Sequence, residues 1–536
     1  MATPHADAHD REWRPAHNHW AVGLTVTLAT FMEVLDTSIA NVALPHIAGN
    51  LGATQEESTW ILTSYLVSNA VILSISAWLS TRSGRKRFYM TSVLLFTISS
   101  LMCGLAPSLG LLVLFRILQG VGGGGFAPSE QAILADTFLA HQRGMGFALY
   151  GAAVVIAPAI GPTLGGWITD NYSWHWIFFI NVPIGIISLF LTQRLVEDPP
   201  YLKREQQRVR AAKSSIDYIG FALVAVGIGA LQIVLDKGQS EDWFESGWIT
   251  VTTIFAVITL IIWVRWEWKQ ENPIVNVRLF KGRNFAAAML FAFVLGMVLN
   301  GTTVLLPQFL QSSLGYDATK AGEALAGGVF IMLVMMPVAG FFVAKVDPRK
   351  MMGFGFFVTA SALYYMSRHL NPHMDFATAA TIRTFQTAGL PFIFLPSNTL
   401  AYVGIPRTQN NQVSDMNVFV RNIGGSIGIS LLSAMLTRTT QQNQNALIRH
   451  TYTGNPAFEN LVNGISQRLK AAGLDAATAT QQGYARVMQM LQLQAATMAY
   501  VQVITLMAIV VVCLVPLPMI MRRAPKNNPT GEIPAH

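Results

Sequence analysis

The 536-residue chain is 52% hydrophobic and only 12% charged, whereas soluble domains carry roughly 25% charged residues. That balance excludes an ordinary soluble enzyme and describes a chain solvated mainly by lipid. The formal charge of +8 does not indicate nucleic acid, because the Lys and Arg cluster in short loops between apolar runs, where such residues set membrane orientation.

A hydrocarbon core roughly 30 Å thick needs about 20 apolar residues per helix. In chain order, such runs fall at 20–42, 59–79, 88–106, 109–134, 147–169, 176–194, 216–235, 248–264, 286–310, 322–344, 351–368, 377–401, 412–436 and 498–521. The fold class expected is an all-α polytopic membrane protein with 14 transmembrane helices. The first run is too long for a secretory h-region and follows a mixed-charge tail, so it reads as a retained span. With the N-terminus inside, the basic loops share one face: Arg82, Arg85, Lys86 and Arg87 in one loop, six Lys and Arg between Arg194 and Lys213, five between Arg265 and Arg283, and Arg522, Arg523 and Lys526 after the last span. An even span number then puts both termini in the cytoplasm.

Several segments repeat. Val34-Leu35-Asp36 aligns with Val298-Leu299-Asn300, each followed by a proline expected to end the helix, Pro45 or Pro307. Ala77 and the basic loop Arg82 to Lys86 align with Gly340 and Lys345 to Arg349, and Arg116-x-x-Gln119 aligns with Arg383-x-x-Gln386 at nearly the same separation. The organisation expected is a cytoplasmic tail at 1–19, a six-helix half at 20–194, a linker with two extra helices at 195–285, a second six-helix half at 286–521, and a cytoplasmic tail at 522–536. Within the second half, 437–497 is a long outer segment. There Phe458, Leu461, Val462, Ile465 and Leu469 recur at helical spacing, and Asp475 is placed to cap a helix running into the last span. Such an amphipathic pair either docks a partner or packs on its own helix ends.

A charge at the centre of a membrane helix costs about 2.5–3.5 kcal/mol on insertion scales, so each demands a reason. Glu33 and Asp36 share one face of the first span, while Arg116, Arg383 and Arg421 sit in the fourth, twelfth and thirteenth. Asp36 lies about six residues before the outer end of its span and Arg116 about seven after the outer end of its own, which at about 1.5 Å per residue puts both near the same depth. A carboxylate–guanidinium pair is therefore possible, acting either as a protonation switch or as a static salt bridge. Asn300, the repeat counterpart of Asp36, cannot titrate, so coupling is expected in the first half. Glu33 is a second relay, a partner for cationic substrates, or a water-lining acid.

The fifth span holds Gly151, Pro158, Gly161, Pro162, Gly165 and Gly166, a pattern for close helix approach and a bend. The loop with Arg82, Gly84, Arg85 and Lys86 is an inside-positive signal and a candidate gate. Phe31, Met32, Tyr65, Phe126, Asn300 and Arg383 are candidates for lining a substrate cavity, although the apolar ones could equally be core. No metal site is expected from His5, His9, His17 and His19 or from the isolated Cys103 and Cys513. Gly122 to Gly125 lack the Gly-Lys-Ser/Thr ending of a phosphate loop, so no nucleotide and no other cofactor is expected.

Taken together, Leu35-Asp36-Thr37-Ser38-Ile39-Ala40-Asn41-Val42-Ala43-Leu44-Pro45, Arg116-Ile117-Leu118-Gln119-Gly120, the Gly151–Gly166 segment and Trp176 to Gly185 resemble the motifs of the fourteen-helix drug:proton antiporters of the major facilitator superfamily, in particular the EmrB-type multidrug exporters. The resemblance covers nearly the whole chain. It implies the major facilitator fold in a bacterial inner membrane and proton-coupled efflux of hydrophobic drugs, including antibiotics. Asp36 and Arg116 would couple protons, and the fifth span would favour antiport. It also implies an EmrA-like membrane fusion protein as periplasmic adaptor, meeting the outer segment and feeding a TolC-like outer-membrane channel. Two features depart from the pattern: Thr81 stands where an acid is usual, which puts a gating salt bridge from that position in doubt, and Glu33 is an additional acid. A dedicated exporter of one metabolite or lipid would use the same scaffold, whereas an embedded enzyme or sensor would need a nucleophile or metal cluster near one surface or a soluble signalling domain.

Overall fold

The computed structural model describes residues 15–521 except 140–141, 212–216, 271–272, 317, 344, 404, 407–408 and 453. His5, His9, Lys213, Arg522, Arg523 and Lys526 lie outside the described residues.

The helices, in order, are α1 (His19–Leu51), α2 (Trp60–Ser83), α3 (Arg85–Gly104), α4 (Leu109–Gly123, resuming as Phe126–Thr137), α5 (Arg143–Asn171), α6 (Asn181–Leu195), α7 (Tyr218–Lys237), α8 (Gly247–Lys269), α9 (Arg283–Leu314), α10 (Ala318–Val343), α11 (Pro348–His369), α12 (Phe376–Ala388, resuming as Pro391–Ala401), α13 (Asn410–Ile448) and α14 (Ala476–Leu514). A helix or broken helix stands at every expected span, as lipid requires, since a helix satisfies its own backbone hydrogen bonds. Among the described residues, eleven helices are long and apolar enough to cross a membrane, or twelve if the bent α5 counts as one span. The remaining two are α11, with charges at both ends, and α12, which breaks near Gly389 and carries Arg383.

Pro45 and Pro307 do not end their helices. Both lie inside α1 and α9, which continue to Leu51 and Leu314. A proline removes one backbone donor and bends the helix, but flanking turns can carry it on in a membrane. The stops are Gly52 and Gly315, at φ 63° and 69°. Their N–H groups cap Ala48 and Leu310 from a left-handed conformation that glycine adopts without steric cost.

Packing repeats as the sequence does. The pairs α1–α5, α2–α4, α3–α4 and α3–α6 reappear as α9–α13, α10–α12, α11–α12 and α11–α14. Each of the first crossings is closed on glycine: a Cβ at Gly161 would come within 2.2 Å of Ser38 Oγ, and one at Gly424 within 2.2 Å of the Phe293 carbonyl oxygen. Between the two sets, α5 lies on α10 and α2 on α13, while α7 and α8 pack together with α7 against both α2 and α13. The inserted pair thus flanks a seam between the sets.

Beyond the expected spans, α13 and α14 run on and are joined through the helix Pro456–Ala471. Val462, Ser466 and Leu469 of that helix are buried, Ser466 at Gly483 of α14, and the Phe458 and Tyr484 rings lie 5.9 Å apart. The amphipathic stripe therefore packs on its own neighbour, leaving Leu461 exposed. Asp475 caps α14, accepting from the N–H groups of Ala477 and Thr478.

Two predictions follow from this packing. Gly161→Ala should lower the thermal stability of the purified protein by about 1–3 kcal/mol through overpacking, while Gly166→Ala, which meets nothing within 4 Å, should leave it unchanged. Equal effects would contradict the α1–α5 contact. The Asp475 carboxyl is held below the usual range, first by the Thr478 side chain and then by backbone N–H groups. A lowered value means the cap is present at neutral pH and lost as pH falls through it. Asp475→Ala should speed amide exchange at Ala477 and Thr478 at neutral pH, with α13 unaffected.

Candidate functional site

Asp36 on α1 is buried, and its carboxylate accepts three hydrogen bonds from two other helices. Arg116 Nη1 of α4 donates to Oδ2 at 2.6 Å, Gln119 Nε2 of α4 donates to Oδ1 at 3.0 Å, and Asn181 Nδ2 of α6 donates to Oδ1 at 2.7 Å. Arg116 also donates through Nε to the Ile61 carbonyl at 3.1 Å and through Nη1 to Gln119 Oε1 at 2.8 Å. Two side-chain amides and a guanidinium thus donate to the carboxylate, the kind of partners an anionic acceptor bonds most strongly. Asp36 and Arg116 meet although α1 runs on to Leu51, past the expected end of its span at 42.

The Arg116 guanidinium lies 4.3 Å from the centre of the Tyr65 ring, a cation–π contact. Tyr65 also lines a cavity of about 440 Å³. Glu33 lines this cavity, accepting from Asn69 Nδ2 at 2.8 Å and from the Tyr65 hydroxyl at 3.4 Å. Asp36 does not line it. Opposite stand Asn300 and Thr303 of α9, Arg383 of α12 and Asn422 of α13, and α7 contributes Gln232.

Of the expected cavity residues, Tyr65, Asn300 and Arg383 do line the space. Met32 and Phe126 instead are fully buried in the apolar core, Phe126 against Phe96 and Tyr89, and Phe31 packs beside the α1–α5 cluster. Their positions on the helix circumference, which a span-level reading does not fix, turn them away. Helix α5 bends by 44° between Arg143–Pro158 and Thr163–Asn171. Pro158 lines the cavity, Gly151 faces Met336 of α10, Gly161 and Gly165 face α1, and Gly166 faces open space. The side chain of Pro162 lies outside the described residues.

Toward the end of the bundle that carries the α2–α3 loop, the two sets of helices are tied together. Arg85 donates to the Ala132 carbonyl and pairs with Asp136, which also accepts from the Tyr201 hydroxyl and, across the sets, from Asn410 Nδ2 at 2.8 Å. Ser76 hydrogen-bonds Asp415, Arg421 donates to the Tyr150 hydroxyl, and the Phe147 and Tyr402 rings stack 6.0 Å apart. Gly84 makes the turn at φ 95°. Lys86 donates its N–H to Asp198 and its ammonium to the Gln193 carbonyl, whereas Arg82 lies over Trp78. Thr81 bonds only its own helix, to the Ala77 carbonyl. Asp136, Asp415 and the fully buried Glu130, which accepts from Thr27 at 2.6 Å, escaped sequence reasoning. They sit in helix halves near loops, where a carboxylate is unremarkable until the partner helix is known. Among the described residues, no group of three His, Cys, Asp or Glu is arranged to hold a metal.

The family model of the Major Facilitator Superfamily matches residues 26–429. The multidrug export protein EmrB of Escherichia coli K12 is 37% identical over 465 residues, covering 86% of this chain and 89% of that protein. The fatty acid resistance protein FarB of Neisseria gonorrhoeae is 37% identical over 467 residues, covering 86% and 90%. Among solved structures, that of the proton:xylose symporter XylE is similar with a TM-score of 0.57 at 14% identity, covering 93% of this chain and 96% of that one, which bears on the fold alone. With the paired helix sets, the central cavity and this similarity along the chain, the protein belongs to the major facilitator superfamily, within the group of EmrB-type exporters.

Proposed function

We propose that this chain is a proton-coupled antiporter that exports structurally diverse hydrophobic compounds by alternating access across a bacterial inner membrane, with both termini in the cytoplasm. The observation that carries the reading is the buried Asp36–Arg116 pair beside Tyr65, whose ring meets Arg116 and also lines the cavity. The names of relatives, multidrug export protein and probable multidrug resistance protein, support the substrate range.

With the basic loops cytoplasmic, the layers of Arg85–Asp136–Asn410, Ser76–Asp415 and Tyr150–Arg421 close the cytoplasmic side, and the cavity belongs to the outer side. A proton arriving from outside meets Glu33 at the cavity wall and, behind Tyr65, the Asp36 carboxylate. Neutralising Asp36 removes the charge that holds Arg116, and the guanidinium then retains the Ile61 carbonyl, Gln119 and the Tyr65 face. Tyr65 is thereby the element through which a change at the pair reaches the substrate surface. Rocking of the two helix sets would then expose the site inward. Each charge crossing 100 mV supplies about 2.3 kcal/mol, enough for a gradient of nearly fifty-fold, so a single proton per cycle suffices for useful export. The outer helices 437–497 are the place where a membrane fusion protein adaptor would dock, leading to an outer-membrane channel.

Proteoliposomes containing this protein alone test the reading. Wild type should move a hydrophobic dye against its gradient when a proton gradient is imposed, and Asp36→Asn should reduce this to background while still binding dye. Mutant transport at the wild-type rate would remove Asp36 from the coupling. Arg116→Met should also destabilise the protein, by about 3–5 kcal/mol, since it leaves a buried carboxylate unpaired. Asp36→Asn, which leaves the Arg116 guanidinium buried but still bonded to the Ile61 carbonyl and Gln119, should cost less, and a thermal melt of each variant measures the difference.

A further inference from the structure

The two sets of helices meet along two seams that are closed differently. At the seam of α5 and α10 the helices touch directly through glycine: a Cβ at Gly144 would come within 2.4 Å of a Val343 methyl, and one at Gly151 within 2.3 Å of the Met336 methyl. At the seam of α2 and α13, Ser76 and Asp415 bond directly near the cytoplasmic end. Farther out, the inserted α7 joins the same two helices. Ser430 of α13 donates to the Leu235 carbonyl, Asp236 accepts from the Thr63 hydroxyl of α2, and Lys237 donates to Thr59 Oγ1. At about 1.5 Å per residue, Thr63 stands about 20 Å from Ser76 along α2, so the direct contact and the bridged one lie at opposite ends of the seam.

Through this seam α7 reaches the cavity. Gln232, only 5% exposed, lines it together with Leu66 and Asn69 of α2 and Ser426 and Ile429 of α13. On its other side α7 carries α8, which leaves Val251, Ile254 and Ile261 exposed to lipid. A wall at this place has a consequence for apolar cargo. Burying apolar surface is worth about 25 cal/mol per Å², so an open seam would pass a released compound to the outer leaflet in preference to water.

Resting on the export reading above, we propose that α7 is a lateral seal over the α2–α13 seam, which sends cargo out along the cavity axis and keeps it from the outer leaflet. The seal rides with the first set. Toward α2 it uses an anion and a cation, Asp236 and Lys237, and the Lys237 ammonium also lies 4.9 Å from the centre of the Trp60 ring. Toward α13 it uses a backbone carbonyl and the neutral pair Gln239–Thr437 at 3.4 Å. Charge-assisted bonds and cation–π contacts are the stronger kind, so rocking of the sets releases α13, which slides along α7.

Nitroxide labels test the seal on the purified full-length protein in lipid nanodiscs, with Cys513 replaced by Ala, the buried Cys103 left in place, and a single cysteine at Ile429. Oxygen, which concentrates in lipid, should reach this label far less than one at Val251 on α8, and a water-soluble nickel chelate should reach it more. Asp236→Ala combined with Lys237→Met should raise oxygen access at Ile429 toward that at Val251 and lower net export of a hydrophobic dye in proteoliposomes. Pulsed distance measurements then use labels at three exposed positions: Leu105 of the first set, Ser240 just past α7, and Arg438 of α13. From wild type to Asp36→Asn, which imitates the neutralised pair, the Leu105–Arg438 and Ser240–Arg438 distances should shift together while Leu105–Ser240 stays constant. Equal oxygen access at Ile429 and Val251 in wild type would overturn the seal, and this comparison decides the matter if the double variant does not fold. So would unchanged access in the folded double variant, or a Leu105–Ser240 shift with Ser240–Arg438 fixed. An unchanged Leu105–Arg438 distance with Ile429 shielded from oxygen refutes the rocking in the export reading and leaves the seal standing.

Discussion

An ionised carboxylate inside a membrane helix bundle must be held by its own charge partner, and Asp36 is held by groups from two neighbouring helices. Arg116 and Gln119 of α4 and Asn181 of α6 converge on it, and Ile61 of α2 completes the setting of Arg116. Four helices of the first set therefore converge on one buried charge pair. Removing either charge alone leaves the other buried, which makes the pair expensive to disturb by mutation.

The same pair explains how the site and the cavity can communicate. Tyr65 presents one face to Arg116 and its hydroxyl to Glu33, so the charge pair and the substrate surface share a side chain. Glu33 borders the cavity, whereas Asp36 is walled off behind it. The two acids that look equivalent in sequence, three residues apart on one helix, thus occupy different environments. The second set of helices repeats the Arg–Gln geometry with hydroxyls in place of the acid, so the buried carboxylate–guanidinium pair at this place belongs to the first set alone among the described residues.

Most of the architecture could be read from the chain, because long apolar runs have few structural options in lipid. The segments that repeat in sequence lie in helices whose packing also repeats, α1–α5 as α9–α13 and α2–α4 as α10–α12, and Asp36–Arg116 was within reach because a buried charge needs a partner at its own depth. What failed depended on facts that span-level patterns do not contain. Pro45 and Pro307 looked like stops, yet left-handed Gly52 and Gly315 end those helices. Met32 and Phe126 looked like cavity residues, but the cavity-facing arc of each helix is set by tertiary packing. Asp136 and Asp415 were missed because their partners, Asn410 and Ser76, come from the other helix set hundreds of residues away. Thr81, which puts a gating salt bridge from its position in doubt, bonds the Ala77 carbonyl of its own helix, while the buried ion pair near this loop joins Arg85 to Asp136.

The central claim is that Asp36 gains and loses a proton as the transporter works. Infrared difference spectra of the purified protein, recorded between substrate-free and substrate-bound forms and between outer-side pH values, address it directly, since a protonated carboxyl has its own carbonyl stretch. A protonated-carboxyl band that changes with substrate and pH in wild type and in Glu33→Gln, and vanishes in Asp36→Asn, is the predicted result. A band that persists unchanged in Asp36→Asn would contradict the account and leave the Asp36–Arg116 pair as a static brace.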